Sequence, residues 1–125
     1  MRCPMLYTVF CYNNEADVAS WSPQKDDALM AKLSAVNEKL TAEGKLRFSA
    51  RLQYTTSAVT VRPGREPMVI DGPYAETKEQ LLGFYVIECE TLEEAIEATR
   101  RLAGPREGGS LELRPMRSVH QGSGL

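Results

Sequence analysis

Residues 68–85 have the sequence MVIDGPYAETKEQLLGFY, in which two apolar segments flank a turn and a polar stretch. Gly72-Pro73 is a strong turn signal, so residues 68–70 are predicted to form a short strand that ends at Asp71. Residues 83–89 are apolar and β-prone, and they predict a second, longer strand. A carboxylate on a turn between rigid strands is a common position for a functional group, so this stretch locates the first candidate site.

The polar stretch from 76 to 80 allows two interpretations. Its charged side chains have the composition of a catalytic cluster, whereas Thr77 and Gln80 have the spacing of a capping box. We favour one short helical turn whose charges face solvent.

The rest of the chain predicts an alternation of strands and helices. Strands are expected at 3–12, 46–53, 55–62 and 111–114, and helices begin at Ser22-Pro23 and Thr91 and stop at Gly44 and Gly104. The strand at 55–62 is expected to pair with its predecessor in a meander. This order predicts a ferredoxin-like βαββαβ domain of the α+β class over residues 1–116, with two helices on one face of an antiparallel sheet. Residues 117–125 are rich in Ser and Gly and predict a flexible C-terminal tail.

The distribution of apolar side chains over the two faces of the strands indicates how the domain assembles. The strands at 3–12 and 83–89 are apolar on both faces, but two helices can cover only one face of the sheet. The other face is expected to pack against the same face of a second copy. We therefore predict a homodimer that encloses a cavity between two sheets.

Composition excludes several classes of function. The 125 residues suit one domain, and a net charge of −2 gives no electrostatic basis for nucleic-acid binding. No apolar run approaches the roughly 18 residues of a membrane span. The N-terminus lacks the pattern of a signal peptide, so a cytoplasmic protein without membrane association is expected.

Cysteine and histidine placement predicts neither disulfides nor a metal site. Cys3 and Cys11 lie on one predicted strand, about 27 Å apart at roughly 3.4 Å per residue, which is too far for a disulfide. Cys89 is expected to be a buried thiol. The single histidine, His120, is remote from every cysteine, so no metal and no cofactor are expected.

Four residues are candidates for the site. Asp71 could act as a general base if partial burial raised its pKa, or it could accept backbone hydrogen bonds within its turn. Arg51 lies on the polar side of the strand at 46–53, opposite Leu46 and Phe48. It could bind a substrate carboxylate, or be a solvated or ion-paired residue of the sheet. Tyr7 and Tyr85 could orient a ligand on the cavity face, or pack at the dimer interface.

The stretch from Asp71 to Tyr85, together with Leu111-Glu112-Leu113-Arg114-Pro115, resembles the YCII-related family, and more closely its branch with an Asp-Gly-Pro-Phe signature. Tyr74 stands where that signature has Phe, and Leu82 where a second Gly is common. The resemblance implies a dimeric α+β barrel and a biochemical role that is mostly unassigned.

The resemblance also implies two classes of function. Some relatives are encoded beside extracytoplasmic-function sigma factors, and some members of the wider superfamily isomerise lactones or eliminate chloride with a His and an Asp. The chain has only His120, in its predicted tail, so the His of that pair is missing. One hypothesis is therefore cofactor-independent acid–base chemistry on a small organic molecule through Asp71. The alternative is a non-catalytic accessory or ligand-sensing module that acts with a transcription regulator.

Overall fold

The computed structural model describes residues 4–120 and 122. The elements in chain order are β1 Met5–Asn13, α1 Glu15–Ala19, α2 Pro23–Ala42, β2 Leu46–Arg51, a 3₁₀ turn Thr55–Ser57, β3 Val59–Arg62, β4 Met68–Asp71, β5 Gln80–Cys89, α3 Leu92–Ala103 and β6 Ser110–Pro115. Strands β2, β5, β1 and β6, in that order, form an antiparallel sheet, and β3 with β4 forms a separate hairpin. The predicted α+β class and ferredoxin-like strand order are confirmed.

The central strands β1 and β5 carry the core on one face of the sheet. Val9 pairs with Tyr85 and Tyr7 pairs with Ile87, and all four side chains are buried under the helices. α2 contributes Leu40 to the same cluster, and α3 contributes three buried residues, Ala95, Ala98 and Leu102. Both long helices therefore cover the same face, as the sequence predicts.

The opposite face of the sheet, which we call the open face, is covered by none of the helices in the described residues. Leu6, Phe10, Phe84 and Val86 are partly exposed there, and Phe48 of β2 is 48% exposed. Phe48 and Phe84 are in ring contact, with centroids 5.9 Å apart. Because β1 and β5 have apolar side chains on both faces, the apolar side chains on the open face are left uncovered by the described helices.

The helix ends follow their sequence signals. Ser22 caps α2 by accepting a hydrogen bond from the Lys25 amide at 3.1 Å, and Pro23 occupies the first turn. Thr91 caps α3 by accepting from the Glu94 amide, and the Glu94 carboxylate in turn accepts from the Glu90 amide. Just beyond α2, Gly44 has φ +74°, a left-handed conformation that favours glycine.

The short helix α1, capped by Asn14, follows β1 and was not predicted. Two expectations for the elements were wrong. The region 55–62 is not a neighbour of β2, because the 3₁₀ turn redirects the chain before β3 pairs with β4. The stretch 76–80 is not a helical turn, since Gln80 already pairs with Asn13 as the first residue of β5.

A bulge in β2 changes which side chains face the helices. Leu46 pairs with Ile87 on the helix side, but the register shifts before Phe48, which pairs with Val86 on the open face. The uniform alternation expected for residues 46–53 is therefore wrong. Arg51 pairs with Gly83 and lies on the helix side.

Gly83 is required by this pairing. A Cβ at Gly83 would lie 2.7 Å from the Ala50 carbonyl oxygen, closer than real Cβ atoms approach a backbone oxygen. The absence of a side chain at Gly83 therefore permits β2 and β5 to approach each other closely next to Arg51.

Cys3, and the parts of the predicted tail at 121 and 123–125, lie outside the described residues.

Candidate functional site

A cavity of about 240 Å³ lies between α2 and the sheet. Its apolar wall is formed by Trp21, Leu29, Met30 and Leu33. Polar side chains converge on it from four parts of the chain: Ser34 and Asn37 of α2, Ser49 and Arg51 of β2, Tyr85 of β5, and Arg106 after α3. An apolar cavity with a few polar groups is the usual form of a small-molecule site.

Arg106 places a cation at this cavity. Its Nε donates to the Leu102 carbonyl at 3.1 Å, and its Nη2 donates to the Tyr85 hydroxyl at 3.0 Å. The guanidinium carbon lies 5.9 Å from the centre of the Tyr85 ring. Within the described part of the chain, no carboxylate forms a salt bridge with Arg106. The neighbouring carboxylate, Glu107, is paired with Lys25 at 3.0 Å.

Asn37 places an unsatisfied acceptor at the same cavity. Its Oδ1 is buried and has no hydrogen-bond partner among the described residues. A buried polar atom left in this state costs about 1–3 kcal/mol, so such atoms are rare away from functional sites. A bound molecule that carries a hydrogen-bond donor would remove this cost.

Arg51 lines the cavity, but its charge is already compensated. Its two Nη atoms donate to the Asp26 carboxylate at 3.2 and 2.7 Å, which ties the start of α2 to the end of β2. This bonding lowers the pKa of Asp26 and raises that of Arg51. Any ligand of Arg51 would compete with Asp26, and its role in substrate binding stays a prediction.

The two candidate tyrosines lie on the helix side of the sheet, not on the open face. Tyr7 is buried in the core and is not part of the cavity wall. Tyr85 reaches the cavity, and burial raises the pKa of its hydroxyl. Burial likewise raises the pKa of the Cys11 thiol, so this cavity residue is protonated and weakly nucleophilic near neutral pH.

Asp71 lies apart from the cavity. It is the last residue of β4, pairs with Val59, and is exposed to solvent. Its turn is held instead by Gly72, whose amide donates to the Ala58 carbonyl at 2.7 Å and whose carbonyl accepts from the Thr60 hydroxyl at 2.8 Å. No donor to the Asp71 carboxylate is found in residues 4–120. The structure therefore brings Arg51 and Tyr85 together and separates Asp71 from both.

The polar residues that follow Asp71 form a structural junction. The Gln80 side chain accepts from the Glu15 amide at 2.9 Å and donates to the Thr77 carbonyl, while Asn14 donates to the Lys78 carbonyl at 3.0 Å. The Glu15 carboxylate accepts from both the amide and the hydroxyl of Thr55. This junction fixes the motif against α1 and the 3₁₀ turn.

Sequence reasoning missed Asn37 and Arg106. Asn37 had a detectable signal, because it lies four residues after Leu33 and therefore on the buried stripe of α2. Arg106 had none, since it follows α3 in a loop and reaches the cavity only through tertiary packing.

No group of three or more His, Cys, Asp or Glu side chains in residues 4–120 and 122 is arranged to hold a metal ion. None of the described helices is both long and apolar enough to cross a bilayer.

Comparison with known proteins matches this chain to a protein family and to a curated relative. The family model for the YCII-related domain matches residues 5–118. An uncharacterised protein of Rhizobium meliloti (strain 1021) is 49% identical over 114 residues, which cover 90% of this chain and 92% of that relative.

Proposed function

This chain belongs to the YCII-related family, and we propose that it binds a small organic molecule in the cavity between α2 and the sheet and acts as a homodimer. The buried Oδ1 of Asn37 carries this proposal, because it is a polar atom of the cavity wall that has no hydrogen-bond partner among the described residues. The cavity volume of about 240 Å³ suits a ligand of one ring. For comparison, an apolar cavity of about 150 Å³ accommodates benzene.

The proposed dimer is supported by two uncovered apolar surfaces. The open face exposes aromatic and aliphatic side chains of the central strands. The β3–β4 hairpin packs chiefly on itself and exposes Val61 and Val69 at 57% and 66%. A two-stranded hairpin is marginally stable alone in water, so a second copy that covers it would stabilise both.

Binding is better supported than catalysis by the cavity itself. Of the titratable groups that line it, Tyr85 and Cys11 have raised pKa values, Arg51 is paired with Asp26, and Glu107 is paired with Lys25. These groups make poor general bases at neutral pH.

A catalytic role for Asp71 stays a prediction and requires the dimer. Asp71 lies opposite Val59 and on the same hairpin face as Val69. Packing of that face against a second copy would bring the carboxylate to the interface between the two copies.

Trp21 offers a direct test, because it is the only tryptophan of the chain and lines the cavity. We expect one-ring organic compounds to change its fluorescence in a saturable titration. Ser34→Phe, which fills the cavity from an exposed position of α2, should abolish the change, whereas the matched Ser34→Ala should preserve it. If no compound of a one-ring series perturbs Trp21 or the amide spectrum of the cavity residues, the proposal is wrong.

The same samples separate an enzyme from a binding module. Product analysis of each ligand with the unaltered protein and with Asp71→Asn should show turnover lost in the variant if Asp71 transfers protons. Binding without turnover in both proteins would favour the accessory or ligand-sensing alternative.

A further inference from the structure

We propose that the ligand of this cavity is a one-ring monocarboxylic acid and that Arg106 binds its carboxylate; this rests on the proposed function of the cavity as a binding site. The charge of Arg106 supports this assignment. Arg106 is partly buried at the cavity, and the described residues supply no carboxylate partner for it. Removing an unpaired cation from water is costly, and an anionic ligand offsets that cost.

The remaining N–H donors of Arg106 have the geometry to bind a carboxylate. A guanidinium has five N–H groups in a planar fork. Leu102 and Tyr85 each accept one of them, which leaves three donors for a ligand. A planar fork matches a carboxylate with two parallel hydrogen bonds, the arrangement that is strongest for this pair. The two protein acceptors also fix the direction of the fork.

Tyr85 acts as a positioning residue for this fork. Its oxygen accepts from Arg106, and its own proton can be donated to an acceptor on the ligand. Because burial raises the pKa of the hydroxyl, the proton is retained near neutral pH and can be donated to a carboxylate oxygen.

The charge balance of the cavity wall limits the ligand to one negative charge. The other arginine of the cavity, Arg51, is neutralised by Asp26, and the cavity carboxylate of Glu107 is neutralised by Lys25. One uncompensated positive charge therefore remains in the wall. A dianion such as a phosphate ester or a dicarboxylate would leave a negative charge buried without a partner.

The other residues of the cavity wall indicate the ring of the ligand and its second substituent. Leu29, Met30 and Leu33 favour an apolar ring. The buried amide of Asn37 favours a neutral hydrogen-bonding substituent, such as a hydroxyl that donates to Oδ1.

The test is a fluorescence titration of Trp21 with benzoate, 4-hydroxybenzoate, benzamide and phthalate. We expect the two monocarboxylates to bind at least about tenfold more tightly than benzamide and phthalate, the ratio expected for one charge-assisted hydrogen-bonded pair. Arg106→Gln should weaken benzoate binding by about tenfold or more and leave benzamide unchanged. Arg106→Lys should restore part of the loss, because it retains the charge without the fork. Arg100→Gln, at an exposed arginine of α3, is the matched control and should change neither ligand.

Tyr85→Phe provides a readout specific to positioning. It removes the acceptor of Arg106 and should reduce the preference of benzoate over benzamide while benzamide still binds. Retained benzamide binding also shows that each variant is folded.

The titrations distinguish failure of the carboxylate assignment from failure of ligand binding in the cavity. If benzamide binds as tightly as benzoate, or if Arg106→Gln binds benzoate normally, the carboxylate assignment is overturned although the cavity still binds ligands. If none of the four compounds perturbs Trp21, both the assignment and the cavity function are overturned.

Discussion

Asn37 and Arg106 illustrate how single residues retain features that stability alone would remove. The amide oxygen of Asn37 is buried without a partner, and the Arg106 guanidinium has no carboxylate among the described residues. Each of these groups lowers the free energy of unfolding of the unliganded protein. Both side chains line the same cavity. Local destabilisation of this kind is typical of binding sites, where a ligand supplies the missing partner.

Asn37→Leu is expected to stabilise the unliganded protein by about 1–3 kcal/mol, because it removes a buried unsatisfied amide and adds apolar volume. Thermal and chemical denaturation would measure the gain. Ser34→Ala has a similar gain in helix propensity without removal of a buried polar atom, so it should stabilise by only about 0.5 kcal/mol. A destabilised Asn37→Leu protein would show that the amide has a structural partner after all.

At the scale of elements, an ion-pair group joins the ends of the two long helices. Glu43, the residue that caps the C-terminus of α2, accepts from both Nη atoms of Arg101 in α3 at 2.9 and 2.7 Å. Lys45 adds a second cation at 3.2 Å. The Arg101 and Lys45 hydrogen bonds lower the pKa of Glu43 from 4.5 to about 2.

This pKa predicts a pH dependence of stability. A carboxyl group with a lowered pKa contributes stability that is complete above its unfolded pKa and is lost as the pH falls through its folded pKa. The contribution of Glu43 should therefore be present above pH 4.5 and disappear as the pH approaches about 2. Because the group remains accessible to solvent, the effect should also weaken in high salt.

Glu43→Gln checks this dependence. The unfolding midpoint of the variant should lie below that of the unaltered protein near neutral pH, and the two midpoints should converge as the pH falls from 4.5 to about 2. Glu38→Gln is a suitable control, since Glu38 is an exposed residue of α2 that forms no salt bridge among the described residues. A midpoint difference that does not change with pH would contradict the assigned role of Glu43.

The elements also show how far sequence reasoning extended. Local patterns predicted the main elements. The caps at Ser22 and Thr91 predicted both long helices, and the apolar side chains on both faces of β1 and β5 predicted the central strands. The bulge before Phe48 is not local, because it depends on how β2 meets β5, and it moved Arg51 to the helix side. The side chain of Arg106 likewise reaches Tyr85 across 21 positions of sequence, which no periodicity encodes.

At the scale of the whole molecule, the chain has two apolar surfaces that its own helices do not cover. The open face belongs to the four-stranded sheet and the hairpin forms a second sheet, yet both expose apolar side chains to water. A homodimer that buries both would place Asp71 of the hairpin at the interface. The helix-side cavity would remain within each protomer, so ligand binding and assembly are separable by mutation.

We expect the protein to elute from size-exclusion chromatography with light scattering at twice the mass of one chain at micromolar concentration. Val61→Lys on the hairpin and Phe48→Lys on the open face should each shift it to the monomer, because an unpaired ammonium is costly to bury at an interface. Val119→Lys replaces an equally exposed valine outside both surfaces and should leave the dimer intact. A dimer lost in Phe48→Lys but kept in Val61→Lys would restrict the interface to the open face. A monomeric unaltered protein would refute the dimer while leaving the cavity proposal standing, because every residue that lines the cavity belongs to one chain.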